Sequence, residues 1–490
     1  MKLDNKHVLV VGLGKSGMAA ARFLLGQGIR VSASEGGLAQ APVRRGVQWL
    51  QEKGVYCELG GHSPELFTSV DVVLLSPGVP LDLPALAAAR QAGVPIIGEL
   101  ALAPAYLRSP VIAVTGTNGK STVTTMIGDI LQAAGNRVFV GGNLGTPLCE
   151  YLAGPQEADW VVLEVSSYQL DSAGAFCPEI GVLLNISPDH LDRYPDYAAY
   201  AASKWRLFAH QGRRQRAVIN HDDPEIGHLL ATAPPAAALF SFGGGGVAGP
   251  YQARALDASG QEETAAVSDH GGGMIRVRAV AGSEEDEEYE LAAGLALEPN
   301  RQNALAAVLT ARLAGCRPAA VARGLAAFKA LPHRLALVAT VDGVGYYDDS
   351  KATNIGAVNS ALKGLAGPVV LIAGGLDKGG DYRLLLPVIR EKVRAVVLIG
   401  SAREKMKAAL APEVPVLEAD DLAAAVRAAS SLASPGDVVL LSPACASFDM
   451  FTSYAQRGEV FRQAVGQLPA TRAGGGALPG HCPVMEAMFT

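Results

Sequence analysis

Cysteine is scarce and scattered: six residues (57, 149, 177, 316, 445 and 482) in 490, with no C-x-x-C pair. That spacing excludes a disulfide framework and a zinc ribbon, and reads as reduced, structural thiols. Long apolar runs are missing too. None reaches the roughly 20 residues that a bilayer-spanning helix needs. The start, MKLDNKHVLVVGLG, lacks the basic stretch, long apolar core and cleavage site of an export signal. A cytoplasmic location without membrane insertion is expected. Basic charge is not in excess: 41 Lys and Arg stand against 47 Asp and Glu, a net charge of −6. This argues against a nucleic-acid partner and for small-molecule ligands. No internal repeat is evident, and a monomer is the default expectation.

What is present is apolar side chain, 49% of the residues, in a chain long enough for roughly two to four domains. Short β-rich runs (HVLVVGL, DVVLLS, VIAVTG, WVVLEV, IGVLLNIS, RAVIN, GPVVLIAGG, RAVVLIG, DVVLLSPA) alternate with Ala/Leu-rich helical stretches. Continuous apolar strands separated by helices predict an α/β fold of doubly wound parallel sheets. A linker is expected around 102–110, where LAPAYLRSP carries two prolines, and another around 328–333, before a hairpin beginning at VATVDGVGYYDDS. The Gly-rich and acidic region 243–290 reads as a solvated β insertion or loop, and the Gly/Pro-rich segment after 467 as a disordered tail.

Two glycine turns point to phosphate. GLGKSG at 12–17 fits G-x-G-x-x-G, with Glu35 near the end of the next strand; alone it is compatible with a nicotinamide dinucleotide or any other phosphate at a helix N-terminus. TGTNGKST at 115–122 is more specific. Backbone N–H groups of Gly116, Thr117, Asn118, Gly119, Lys120, Ser121 and Thr122 would surround phosphates. The Lys120 ammonium adds charge and the Ser121 hydroxyl a Mg²⁺ ligand. Val114 stands where the usual P-loop has its first glycine. Glu164, ending the strand of LEVSSYQLD, can complete a metal site, and His190 in NISPDHLDRYP lies at another strand end on the same edge. Lys204, in YAAYAASKWRLF, reads by itself as a solvated helical lysine. LPHR, DDSKATN, AGGLDKGGDY and LSPACASFD supply small and charged residues at turns, suited to a polar ligand.

In this order, TGTNGKS, LEVSS, NISPDHLDRYP, SK, LPHR, DDSKATN, DKG and SPACASFD resemble the Mur ligases of peptidoglycan synthesis over about residues 5–465. The N-terminal GLGKSG and the SPACASFDMF segment are similar to the D-glutamate-adding branch, and the D-N-P-R-type motif of the branch that adds diaminopimelate or lysine is not seen. The resemblance implies three domains, each on a mostly parallel sheet: a UDP-substrate domain at 1–106, an ATP domain at 107–330 and an amino-acid domain at 331–467, with a tail at 468–490. Segments near 105 and 330 would be hinges. It implies an ATP-dependent ligase that takes UDP-MurNAc-L-Ala and D-glutamate, with two Mg²⁺ ions.

By the same resemblance, Lys120, His190 and Lys204 are catalytic. Ser121, Glu164, His190 and Lys204, the last as a CO₂-derived carbamate, hold metal. Asn300, Asn303, His333, Arg334 and Asp349 join the phosphate loop around ATP. Ser16, Glu35, Gly78 and Asn143 contact the UDP substrate, while Lys351, Thr353, Lys378, Ser447 and Tyr454 contact D-glutamate. The chain departs from the family pattern at Leu297 and Pro299 (Gly and His expected), Ala336 (Glu), Gly36–Gly37 (a polar pair) and Tyr454 (Phe). Two alternatives are a related ligase with another amino acid and a nucleotide-binding homologue without catalysis.

Overall fold

The computed structural model describes residues 2–37, 41–191, 193–243, 255–256, 262–263, 266–269, 274–278, 287–292, 295, 298–365 and 367–469. The chain divides after Lys329 into two compact units.

The first unit holds two large sheets. One is wholly parallel: β1 (His7–Val11), β2 (Arg30–Glu35), β3 (Tyr56–Leu59), β4 (Val72–Leu75) and β5 (Ile96–Gly98), in the order β3-β2-β1-β4-β5. The order reverses beside β1, so the loops leaving β1 and β4 open a crevice at their C-terminal ends. Gly12 (φ 81°) makes the turn after β1, and a Cβ on Gly17 would strike the Gly12 carbonyl. The GLGKSG spacing therefore reports close packing of the helix Lys15–Gly26 on its strand.

The second sheet contains β6 (Val111–Thr115), β7 (Val138–Gly142), β8 (Trp160–Glu164), β9 (Ile180–Leu183), β10 (Arg216–Asn220) and β11 (Ala238–Gly243). A short pair, β12 (Ala255–Leu256) and β13 (Glu262–Glu263), stands apart. β14 (Ala266–Asp269), β15 (Met274–Arg278) and β16 (Glu287–Glu290) extend the large sheet, whose order is β16-β15-β14-β11-β10-β9-β6-β8-β7. Strands β6 and β8–β10 are apolar on both faces because helices cover both. On one face, Ile112, Val114, Val162 and Val182 meet Ile127, Ile130, Leu305 and Leu309 from the helices Lys120–Ala133 and Asn300–Leu313.

The insertion is only partly as expected. It forms strands, but the described part is not simply solvated. Ile275, Val277 and Tyr289 are buried in the same core, and Glu287 pairs with Arg312 at 2.6 Å. Alternation lets the acidic strand EEYE put Glu287 and Tyr289 on the inward face, where the Tyr289 hydroxyl donates to Glu287, and Glu288 and Glu290 outward. The rest of 243–290, Leu297 and the tail from 470 lie outside the described residues.

The second unit is a six-stranded sheet of β17 (Ala336–Val341), β18 (Val344–Asp348), β19 (Val369–Gly374), β20 (Val393–Ile399), β21 (Val416–Glu418) and β22 (Val438–Leu441), ordered β17-β18-β22-β19-β20-β21. β17 and β18 form the expected antiparallel hairpin and the other pairs are parallel. Departures at Gly36–Gly37 and Ala336 are absorbed locally: Gly37 N–H donates to Glu35 Oε1, and Ala336 begins β17.

Candidate active site

β6 runs straight into the phosphate loop. Val114 is still a buried strand residue, in register with Glu164 and Val182, and β6 runs to Thr115, so the loop begins two positions after the usual first glycine. Gly116 (φ 152°) and Gly119 (φ 85°) take conformations that L-residues rarely adopt. The loop is held from outside: Asn185 accepts the Asn118 N–H at 2.8 Å and donates to the Asn118 carbonyl at 3.1 Å. A Cβ on Gly119 would collide with the Asn303 side chain, which places the start of the helix Asn300–Leu313 against the loop.

Two lysines meet on one carbonyl. Lys120 donates to the Gly116 and Thr117 carbonyls, each at 2.9 Å, and Lys204 donates to the Gly116 carbonyl at 2.8 Å. Lys204 is 1% exposed. Burial, and then the Lys120 charge, hold its pKa well below the ordinary lysine value, against the opposing pull of Asp189, Asp171 and Glu164. The reading of Lys204 as a solvated helical lysine is thus corrected: it faces inward from Tyr197–Trp205, 4.7 Å from the Tyr200 ring centroid.

Glu164 ends β8 between β6 and β7. Its Oε1 accepts from Asn143 Nδ2 at 2.6 Å, and its Oε2 is buried without a hydrogen-bond partner. An enclosed carboxylate oxygen with nothing to bind fits a hard cation, and Ser121, buried in the first turn of the helix Lys120–Ala133, carries a second oxygen donor of the kind Mg²⁺ prefers. His190 (φ 57°) has Nδ1 2.7 Å from the Tyr168 hydroxyl, and Arg193 stacks 3.9 Å from the centroid of that tyrosine ring. As an ammonium, Lys204 would repel a cation beside His190; as a carbamate it would supply an oxygen. Among the described residues, no three His, Cys, Asp or Glu cluster to hold a metal unaided.

Ser16, Glu35, Gly78 and Asn143 line one cavity of about 440 Å³. Glu35 stabilises its glycine turn: Oε2 accepts the Leu13 N–H at 2.6 Å, while Ser76 Oγ donates to the Gly12 carbonyl at 2.6 Å. Lys15 reaches from the turn to the Gly145 carbonyl at 2.8 Å. The sequence reading missed Lys15, Ser76 and Gln169, which share this cavity.

In the second unit, β18, β22 and β19 are parallel neighbours, so DDSKATN, LSPACASFD and AGGLDKGGDY leave from one sheet edge. Leu376 and Ala446 exchange backbone hydrogen bonds of 2.9 and 3.1 Å, tying the loop of Lys378 to that of Ser447. Lys351 lies 3.9 Å from the Tyr454 ring centroid, and the Thr353 N–H donates to the Lys351 carbonyl. His333 Nδ1 is 2.7 Å from buried Asp348, and a Cβ on Gly458 would collide with that ring. Asp349 accepts from Ser442 Oγ and the Leu335 N–H, at 2.9 and 3.2 Å, so it anchors the turn that carries Arg334. Fully buried Arg457, to which sequence reasoning gave no role although its RG pair belongs to the segment resembling the family, binds Ser350 Oγ, Ser350 O, Cys445 O and Ala446 O. Its only sequence signal is a lone arginine before a glycine.

Family models match in consecutive blocks: the Mur ligase MurD-like N-terminal domain at 6–98, the Mur ligase middle domain at 114–311 and the Mur ligase glutamate ligase domain at 333–445. A UDP-N-acetylmuramoylalanine–D-glutamate ligase of Syntrophotalea carbinolica is 42% identical over 94% of this chain and 98% of its own length. One of Desulfosudis oleivorans is 43% identical over 96% and 98%. The chain belongs to the Mur ligase family.

Solved Mur ligase structures share the fold at lower identity. The UDP-N-acetylmuramate–alanine ligase of Thermotoga maritima matches with a TM-score of 0.54 and 18% identity, over 94% of this chain and 99% of that one. A pseudomurein peptide ligase of Methanothermus fervidus matches with 0.59 and 18%, over 94% and 100%. The three-domain α/β architecture is that of the Mur ligases, and ATP and Mg²⁺ are the family's requirements. Among the described residues, no helix is long and apolar enough to cross a membrane.

Proposed function

We propose that this Mur ligase joins D-glutamate to the L-alanine carboxylate of UDP-MurNAc-L-Ala, with ATP converted to ADP and phosphate, in the cytoplasm and as a monomer. The observation that carries this reading is the meeting of Lys120 and buried Lys204 on the Gly116 carbonyl, in a chain 42% identical to D-glutamate ligases over nearly its whole length.

A carboxylate does not acylate an amine at neutral pH, because its carbonyl is deactivated and oxide leaves poorly. Transfer of the γ-phosphoryl group to one carboxylate oxygen gives an acyl phosphate and ADP. The D-glutamate amine attacks that carbonyl, loses a proton, and the tetrahedral intermediate expels phosphate as the amide forms. Phosphoryl transfer asks the protein chiefly for positioning and charge neutralisation.

The loop amides of 116–122 and the Lys120 ammonium would hold the β and γ phosphates, with Asn300, Asn303, His333, Arg334 and Asp349 around the nucleotide. Ser121 and Glu164 would hold one Mg²⁺; His190 and Lys204, as a carbamate, would hold a second. The metal would neutralise the phosphate charge that opposes an attacking carboxylate. Depression of the Lys204 pKa favours the neutral amine that reacts with CO₂. Ser16, Glu35, Gly78 and Asn143 would take the UDP substrate within 1–106 and its junction with 107–330. The Lys351 and Lys378 cations, with Thr353, Ser447 and Tyr454, would take the two D-glutamate carboxylates within 331–467.

The test is phosphate release from ATP by purified protein with UDP-MurNAc-L-Ala and a panel of amino acids. Release should require both the nucleotide substrate and D-glutamate. Equal stimulation by L-glutamate, or release without an amino acid, would overturn the assignment.

A further inference from the structure

One enclosed carboxylate in the first unit is not used by the reaction above. Glu99 follows β5 directly and is 3% exposed. Its Oε1 accepts the Cys149 N–H at 2.7 Å, the Leu148 amide also faces it, and its Oε2 is buried without a partner. The helix it meets, Leu148–Leu152, starts after Pro147 and has no side-chain cap of its own. Its first amides would otherwise be orphaned in the interior. Glu99 supplies their acceptor from 50 residues away.

The position of this contact gives it a consequence beyond capping. The loop ending at that helix carries Asn143, Gly145 and Pro147, one wall of the 440 Å³ cavity. The facing wall carries Ser16, Glu35 and Gly78 and belongs to the β1–β5 sheet, of which Glu99 is the direct continuation. Next to it, the Gly98 N–H donates to the Ser172 carbonyl at 2.7 Å, and a Cβ on Gly98 would strike the Ser172 side chain. Gly98 fixes how closely the sheet edge approaches. Glu99 fixes the wall that bears Asn143.

We propose that Glu99 is a positioning residue that holds the two walls of the nucleotide-sugar cavity in register, and so sets affinity for the uridine diphosphate part of the substrate without touching it. The proposal rests on the cavity assignment made under Proposed function. A residue that only stabilised the fold would change all substrates alike. One that sets this wall changes a single KM.

The experiment compares wild type, Glu99→Ala, Glu99→Gln and Glu99→Asp by steady-state kinetics and by calorimetric titration with UDP. Glu99→Gln keeps an oxygen acceptor for the helix amides and should stay close to wild type. Glu99→Ala should raise the KM for UDP-MurNAc-L-Ala and the Kd for UDP roughly tenfold, as loss of a buried orienting partner does elsewhere, leaving the KM values for ATP and D-glutamate within about twofold. If Glu99→Ala does not fold, the shortened Glu99→Asp should show the same selective rise in smaller measure. Unchanged UDP affinity in a folded variant, or a parallel change in all three KM values, would overturn the proposal. Wild type that binds UDP yet joins no amino acid would overturn the proposed function instead, and the difference in UDP affinity between Glu99→Ala and Glu99→Gln would still decide the role of Glu99.

Discussion

Lys204 beside the phosphate loop and Arg457 beneath the strand-end loops of the second unit are both enclosed cations, 1% and 0% exposed. Arg457 is saturated: its guanidinium reaches four oxygens on three residues, and burial lowers its pKa only to about 10. It stays charged at neutral pH and ties the Ser350 and Cys445–Ala446 segments together. Lys204 donates to one carbonyl, which it shares with a second ammonium, and its pKa falls well below the ordinary value. Nearby, Glu164 Oε2 is enclosed without a donor. A satisfied buried charge is scaffold, whereas an unsatisfied one marks where a ligand or a chemical modification completes the site.

Removing Lys204 should break this comparison hardest. Lys204→Ala removes a buried amine that donates to one carbonyl, so thermal stability should fall only modestly, while kcat falls by on the order of 10²- to 10³-fold, as when one preorganised charge-stabilising group is lost. A short carboxylate added to the buffer should restore part of the rate by occupying the space of the carbamate. Full activity without it would remove Lys204 from the mechanism.

Arg457→Met should behave in the opposite sense. It leaves the Ser350 and Cys445 carbonyls without the Arg457 donor, while the Ala446 carbonyl keeps the Leu376 N–H, at about 3 kcal/mol. The denaturation midpoint of the second unit should fall, and residual activity of the folded fraction should persist. An unchanged midpoint would show that water satisfies these carbonyls and that the arginine is not the tie.

The strands of the two units were legible because VIAV, WVVLE, PVVLIAG and DVVLL are apolar without interruption, a pattern that a parallel sheet covered on both faces requires. The phosphate loop was legible because Gly116 and Gly119 sit at positive φ, where glycine is nearly obligatory. Lys204 was not: lysine normally marks the wet face of a helix, and nothing in YAAYAASKW shows that Tyr200 and Ser203 share its buried face. Only the resemblance to Mur ligases put it in the site. That β16 packs into the core was hidden by acidic composition, since one inward tyrosine among glutamates carries little apolar signal. Glu99 and Arg457 carried little signal for a common reason. Cys149 lies 50 residues from Glu99 and Ser350 lies 107 from Arg457, and in ELAL and AQRG nothing local shows the contact.

The smallest expected effect concerns Asp349, the second unit's counterpart to an unsatisfied charge. Burial pushes its carboxyl up to about 7 from an ordinary value of 3.8, although the Ser442 hydroxyl and the Leu335 amide favour the anion. Between those values the folded protein keeps a proton that the unfolded chain has released, so stability must fall as pH rises through the window and level off above about 7. Asp349→Asn keeps a carbonyl acceptor for both donors and has no proton to lose. The melting-temperature difference, variant minus wild type, should therefore be small at pH 4 to 5 and grow towards pH 7 to 8. Glu99 in the first unit is also raised to about 7, so the wild-type curve alone carries both groups and only the difference isolates Asp349. Parallel curves would show that the Ser442 and Leu335 contacts fully compensate burial, and would move Asp349 to the satisfied side alongside Arg457.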